Sequence, residues 1–157
     1  MSAASGANAG GASDAAGPAR DMGRWLGDGG MPILTEIGVS IDSYGPGWAE
    51  GRWTPTALAC NPAGFVNTGV QTVILDALTS FALNAALPRG SRIATLELKV
   101  STIRATQAGA ELAARGEVVR LAKHLAFVRG QVVDADGEIV CEATGTFNVR
   151  RPDAATP

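Results

Sequence analysis

The segment that most restricts how this chain can fold lies between Val70 and Leu87. Val70, Val73, Ile74, Ala77, Leu78, Phe81 and Ala82 recur at intervals of three and four residues, a period that lines up on one face of an α-helix and on no face of a strand. Such a stripe packs on a sheet. Pro88 and Gly90 end the helix, because proline lacks the N–H that the ladder needs and glycine relaxes the backbone. At about 100° per residue, Asp76 projects away from the stripe, on the side that also carries Thr72, Leu83 and Leu87. The helix therefore has a second, mixed face to bury. Leaving Leu83 and Leu87 exposed together would create an apolar patch that monomers seldom tolerate, which predicts a homodimer with each Asp76 near the partner subunit.

On both sides of the helix the period changes to two. Leu34-Thr35-Glu36-Ile37-Gly38-Val39-Ser40-Ile41-Asp42 alternates over most of its length, and Trp48 to Thr54 alternates again after Tyr44-Gly45-Pro46-Gly47, which predicts a hairpin. Cys60 to Phe65 reads as loop, since Pro62 and Gly64 interrupt both kinds of ladder. Four more strands are expected after the helix, over Ile93–Ile103, Glu111–Leu121, His124–Asp134 and Ile139–Val149, with Gly109 and Asp136-Gly137 marking turns. In the last of these, Ile139, Cys141, Ala143, Gly145, Phe147 and Val149 alternate with a largely polar set, so one face suits a core. Two strands, one long helix and four strands call for an antiparallel sheet with the helix on one face, in the α+β class. Six strands curling round a central helix form the hotdog arrangement.

A length of 157 residues suits one domain. Residues 1–20 are rich in Ala, Gly and Ser with almost no large apolar side chain, so a disordered tail is expected there, then a single domain over 21–152 and a short tail over 153–157. Trp25 and Leu26 suit one helical turn before Gly27, Gly29 and Gly30 stop it. The net charge of −2 gives no basic footprint for nucleic acid or acidic membranes. The longest greasy stretch, from Val70 to Leu87, is broken by six polar residues and does not suit a membrane span. The amino terminus lacks a basic segment followed by an apolar core, so a cytoplasmic address is expected. Cys60 and Cys141, the only cysteines, form no C-x-x-C pair and have no histidine nearby. Neither a metal site nor a cofactor is expected from them, and both read as small buried thiols.

The run Asn61-Pro62-Ala63-Gly64-Phe65-Val66-Asn67-Thr68-Gly69-Val70, followed by Ile74-Leu75-Asp76, resembles the signature of PaaI-type hotdog acyl-CoA thioesterases. In that family a loop Asn-x-x-Gly leads to His-Gly-Gly, with an acidic residue nine positions after the histidine. Nine from Asn67 is Asp76. The segments Thr95–Val100, His124–Phe127 and Ala143–Phe147 also look like family strands, so the resemblance spans about Pro32 to Arg150. Here Asn67-Thr68-Gly69 stands where the family has His-Gly-Gly.

The resemblance implies an acyl-CoA substrate and thioester hydrolysis. The helix-start N–H groups at Thr68 and Gly69 would polarise the carbonyl, and Asp76 would act as general base or nucleophile. Asn61 and Thr95 would orient the water or Asp76, with Asn67 and Thr95 facing the substrate. It further implies dimers that pair into tetramers, with active sites at the dimer interface. Taken alone, Asp76 reads as a solvent-facing helix residue, Asn61 as a turn residue and Thr95 as an ordinary strand residue. His124 reads as structural or exposed, and the helix entry contains no histidine, which disfavours a dehydratase. Arg92, Arg104, Lys123, Arg150 and Arg151 are candidates for coenzyme A phosphates or plain solvated cations. Phe65, Phe81 and Phe127 suit core or pocket lining equally. A non-catalytic acyl-CoA-binding protein is the alternative that the missing His-Gly-Gly motivates, and an oligomerising module without ligand is a third.

Overall fold

The computed structural model of the chain describes residues 19–152. The expected tails therefore lie almost wholly outside the described residues. Ala19 and Arg20, assigned to the first tail, are joined to the domain: Ala19 bridges Pro88, and Arg20 donates from its backbone to Leu87 O and from its guanidinium to Asn84 Oδ1.

Six antiparallel strands form one sheet: β1 (Val39–Gly45), β2 (Trp48–Trp53), β3 (Arg92–Thr102), β4 (Leu112–Leu121), β5 (Leu125–Val133) and β6 (Ile139–Arg150). Their order across the sheet is β1-β2-β4-β5-β6-β3. The long helix α2 (Thr68–Ala85) crosses one face, chiefly over β4 and its neighbours β2 and β5, and also meets the edge strand β3. This is the hotdog architecture that the order of elements predicts. The helix can sit low on the sheet because Gly116 of β4 pairs directly with Gly130 of β5 beneath it. A Cβ on Gly116 would stand 2.6 Å from the backbone of Leu78, so the close approach requires glycine there.

Two regions depart from expectation. Leu34 to Glu36 does not begin the first strand; Pro32–Glu36 is a short helix, α1, and the strand starts at Val39. Proline at the first helical position has the φ that a helix needs. Leu34 and Ile37, three apart, both reach the core, a spacing that shares one face of a helical turn but falls on opposite faces of a strand. Gly38, at φ 88°, then redirects the chain, and the indole N–H of buried Trp53 donates to Ile37 O at 2.9 Å, holding α1 against β2.

The second departure concerns the mixed face of α2. Leu83 and Leu87 are 0% and 1% exposed, packed with Ala126, Val128, Phe147 and Val149 under the β5–β6 end of the sheet. The curl of the sheet reaches far enough round the helix to cover them. Burying each is worth roughly 1.5–3 kcal/mol, and the protomer realises this by itself, so these leucines give no reason for a second subunit.

The residues before α1 make a strap. Gly23–Trp25 forms a single 3₁₀ turn, as expected around Trp25. Gly27 exchanges two backbone hydrogen bonds with Ile41, both 2.8 Å. The Tyr44 hydroxyl accepts from Met22 N and donates to Asp21 Oδ1. The strap thus crosses the outer edge of β1, while β3, the strand at the other edge, is eleven residues long and has no neighbour on its free side among the described residues.

Among the described residues, no helix is long and apolar enough to cross a membrane. Cys60 and Cys141 are both free thiols; Cys141 is fully buried and Cys60 half-buried. Burial pushes the Cys141 thiol up to about 12.

Candidate active site

The loop entering α2 is held from both sides. Asn61 Oδ1 accepts from Ala63 N at 3.0 Å and Phe65 N at 3.2 Å, and its backbone N–H donates to Phe65 O. This shapes the turn around Gly64, at φ 83°. Val66 N donates to Thr106 O and Asn67 N to Ala59 O, which fixes where the helix begins. The Asn61 side chain is thus engaged with its own loop in the protomer and makes no hydrogen bond to Asp76.

Asn67 caps the helix. Its backbone is extended, at φ −73° and ψ 135°, and its side-chain oxygen accepts from Gly69 N at 2.8 Å. This is the usual satisfaction of a helix-start donor by a short polar side chain. Val70 N and Gln71 N reach Asn67 O. Of the donors proposed at the helix start, the Gly69 N–H is therefore occupied by Asn67, and the Thr68 N–H has no partner among the described residues. Thr68 takes an ordinary helical backbone, since no non-glycine residue described has a positive φ. The β-branched side chain is thus compatible with a free N–H at this position.

Asp76 sits eight residues further along the same helix, half-buried, with its Oδ1 accepting from the Thr95 hydroxyl at 2.9 Å. That contact depends on an irregularity in β3. Thr95 pairs with Phe147 and Glu97 with Thr146, so Leu96 is an extra residue, a β-bulge. Because side chains alternate with period two, Thr95 would fall on the opposite face from Leu98, Val100 and Thr102 without the bulge. With it, Thr95 faces inward opposite buried Phe147 and meets Asp76, while Leu96 is pushed out to 60% exposure.

A polar cluster not expected from the sequence occupies the helix start. Gln71 is 1% exposed, and its Oε1 accepts from Thr102 Oγ1 at 2.5 Å, with Thr68 Oγ1 3.3 Å from the same hydroxyl. It ties the first turn of α2 to the far end of β3. The one available signal was the spacing of Gln71 from Ile74, Leu75 and Leu78, which puts an amide on the buried face. His124 lies exposed in the turn between β4 and β5. Arg104 is paired with Glu138.

Fold and site together define a hotdog domain with a half-buried carboxylate midway along the central helix and a capped, donor-bearing start to the same helix. The sequence pattern of the thioesterase superfamily matches residues 63–141, just over half of the chain. The chain belongs to that superfamily, and its class is thioester hydrolase. A solved variant of the phenylacetic acid degradation protein PaaI from Thermus thermophilus is 26% identical, covers 77% of this chain and 99% of its own, and superposes with a TM-score of 0.68. A phenylacetic acid degradation-related protein from Ralstonia eutropha is 29% identical over 75% of this chain and 89% of its own, with a TM-score of 0.68. A thioesterase of Haemophilus influenzae shares the fold at a TM-score of 0.75, with 16% identity over 88% and 96% of the two chains.

Proposed function

We infer that the protein hydrolyses acyl- or aryl-CoA thioesters to the free acid and coenzyme A, with Asp76 as the working carboxylate. The observation that carries this reading is the Asp76–Thr95 hydrogen bond, which puts the helix carboxylate against a hydroxyl that the bulge in β3 turns inward. Hydrolysis needs a polarised carbonyl and an activated oxygen nucleophile. The Thr68 N–H, at the positive end of α2, suits the carbonyl oxygen as it gains charge. Asp76 either takes a proton from the attacking water or attacks the carbonyl carbon itself, forming a mixed anhydride that water then hydrolyses to release the acid and restore the carboxylate. In both routes the C–S bond breaks and the electron pair leaves with sulfur.

The two groups belong to different copies of the chain. Eight residues of helix separate Thr68 from Asp76, about 12 Å, too far for both to address one carbonyl. A second copy supplies the missing half of each site. The free edge of β3 is the surface that suits it: an unpaired strand edge invites another strand, and bulged Leu96, 60% exposed, stands on it. A homodimer joined through β3 follows, and the family resemblance adds pairing of dimers into tetramers.

Thiol release from a panel of aryl- and fatty acyl-CoAs tests the reading. Turnover that falls by about 10²–10⁴ in Asp76→Asn supports it, the range expected for losing a positioned acid–base group. Tight acyl-CoA binding without turnover in the parent would instead favour a non-catalytic binder, for which Asn67 in place of the family's histidine is the specific observation.

A further inference from the structure

Thr68 carries a backbone donor and a side-chain donor, and neither is firmly engaged. Its N–H has no partner among the described residues, and its Oγ1 lies 3.3 Å from Thr102 Oγ1. The neighbouring contact decides which of these hydroxyls donates to the other. Thr102 Oγ1 is 2.5 Å from Gln71 Oε1, and an amide oxygen can only accept, so the single proton of the Thr102 hydroxyl goes to Gln71. Gln71 is buried, which leaves its oxygen no ready exchange for water. The Thr102 oxygen keeps lone pairs with which to accept, and the donor across the 3.3 Å contact is therefore Thr68. O–H···O hydrogen bonds run at about 2.5–3.0 Å. The Thr68 hydroxyl is thus aimed by Thr102 but weakly held, and unlike Gln71 it is exposed in the protomer.

We propose that the Thr68 hydroxyl is a second donor to the thioester carbonyl oxygen, acting beside the Thr68 N–H, and that Gln71 and Thr102 are positioning residues that keep it aimed. The proposal rests on the hydrolase reading above and adds a catalytic group to it. Asn67 creates the need: its side chain takes the Gly69 N–H at 2.8 Å, which leaves the helix start short of a backbone donor for an oxygen that gains charge. The glycine that the family resemblance puts at this position has no side chain to offer, whereas Thr68 has one. Its donors sit on atoms bonded to Cα and Cβ of the same residue, so one oxygen can meet both. The carbonyl accepts the hydroxyl weakly in the bound thioester and strongly as the carbon turns tetrahedral, because a hydrogen bond to an oxyanion is stronger than one to the neutral Thr102 hydroxyl. The proton stays on Thr68 throughout, and most of the gain falls in the transition state. In the dimer proposed above, Thr102 ends β3 and Thr95 lies towards its start. Two such strands paired antiparallel about their middle lay the Thr68–Thr102 contact of one copy beside the Asp76–Thr95 contact of the other.

The test measures kcat and KM for benzoyl-CoA and octanoyl-CoA in the full chain and in Thr68→Val, Thr68→Ser, Thr68→Gly and Thr102→Val. Thr68→Val keeps the N–H and the shape and loses only the hydroxyl, so kcat should fall about 10²-fold with little change in KM. Thr68→Ser should recover most of that loss. Thr68→Gly should fall as the valine variant does, although it restores the residue of the family signature. Thr102→Val leaves the Thr68 hydroxyl without its acceptor and should lower kcat about tenfold while KM holds. Parent-like kcat in both Thr68→Val and Thr68→Gly overturns the proposal, as does a fall in Thr68→Val that Thr68→Ser fails to recover. A second readout does not depend on turnover. In the Asp76→Asn background, the infrared band of bound benzoyl-CoA labelled at the carbonyl carbon should lie at lower frequency than in the same background carrying Thr68→Val, and coincident bands overturn the proposal. If the parent turns over neither thioester, the hydrolase reading fails, and the same band comparison between the parent and Thr68→Val still decides whether the hydroxyl meets the carbonyl.

Discussion

Thr95 is the residue on which the carboxylate's orientation rests. Replacing it with valine keeps the shape and removes the hydroxyl that Asp76 accepts from, so kcat should fall about tenfold or more, roughly the worth of one hydrogen bond to a charged group. KM should change little, and circular dichroism should report an intact fold. Asn67→Ala removes the cap on Gly69 N and should cost about 0.5–2 kcal/mol in urea unfolding. An unaltered midpoint would mean that water replaces the cap at no cost. Asp76 was legible from its nine-residue spacing from Asn67 within a recognisable loop. Asn61 was legible as a residue of that loop, and its turn-shaping reading is what the protomer displays. Gln71 and Thr102 were not, because a glutamine at a buried helical position and a threonine near a strand end look ordinary until packing brings them together.

At the scale of elements, the bulge at Leu96 decides which face Thr95 occupies. Deleting Leu96 restores regular alternation and forces Ile93 and Thr95 outward, so thiol release should collapse while far-UV circular dichroism stays strand-rich; retained activity would show that Asp76 needs no partner from β3. The bulge left a trace in the sequence. Ile93 and Leu96 are an odd number of residues apart, whereas Leu96, Leu98 and Val100 keep even spacing, a break in phase that a bulge repairs. The boundaries of α2 and of the last four strands were readable because long periodic runs over-determine them. The α1 segment was not, since the alternation of Ile37, Val39 and Ile41 was carried back over Leu34, and only the three-residue step from Leu34 to Ile37 and the position of Pro32 mark the helical turn. Gly116→Ala would press a methyl group onto the Leu78 backbone, and about 1–3 kcal/mol of destabilisation is expected as the helix lifts.

At the scale of the whole molecule, the Cys141 thiol links stability to alkaline pH. Its folded value, raised to about 12 from 9.0, keeps the native state protonated where the unfolded chain ionises. The stabilisation is complete below pH 9 and is lost progressively as pH rises from about 9 towards 12. Melting temperature should decline across that window, less steeply in Cys141→Ala after allowance for the small cavity. A thiol reagent at neutral pH should reach Cys60 in the folded protein and Cys141 only on unfolding. Solution mass at micromolar concentration should be that of a dimer or tetramer, and a monomer would remove the shared site. How far the helix is wrapped was not legible, because the sheet's curl rather than the order of elements covers Leu83 and Leu87.

The strap along β1 has a bearing on assembly beyond tidying one margin of the sheet. A sheet with two open margins can add copies at both without limit. Here Gly27 already occupies the ladder of β1 at Ile41, so margin-to-margin growth is left with β3 alone. Once two β3 strands have met, only the bridged margins of β1 remain, and the Gly27 crossing disfavours further growth along the sheet beyond a pair.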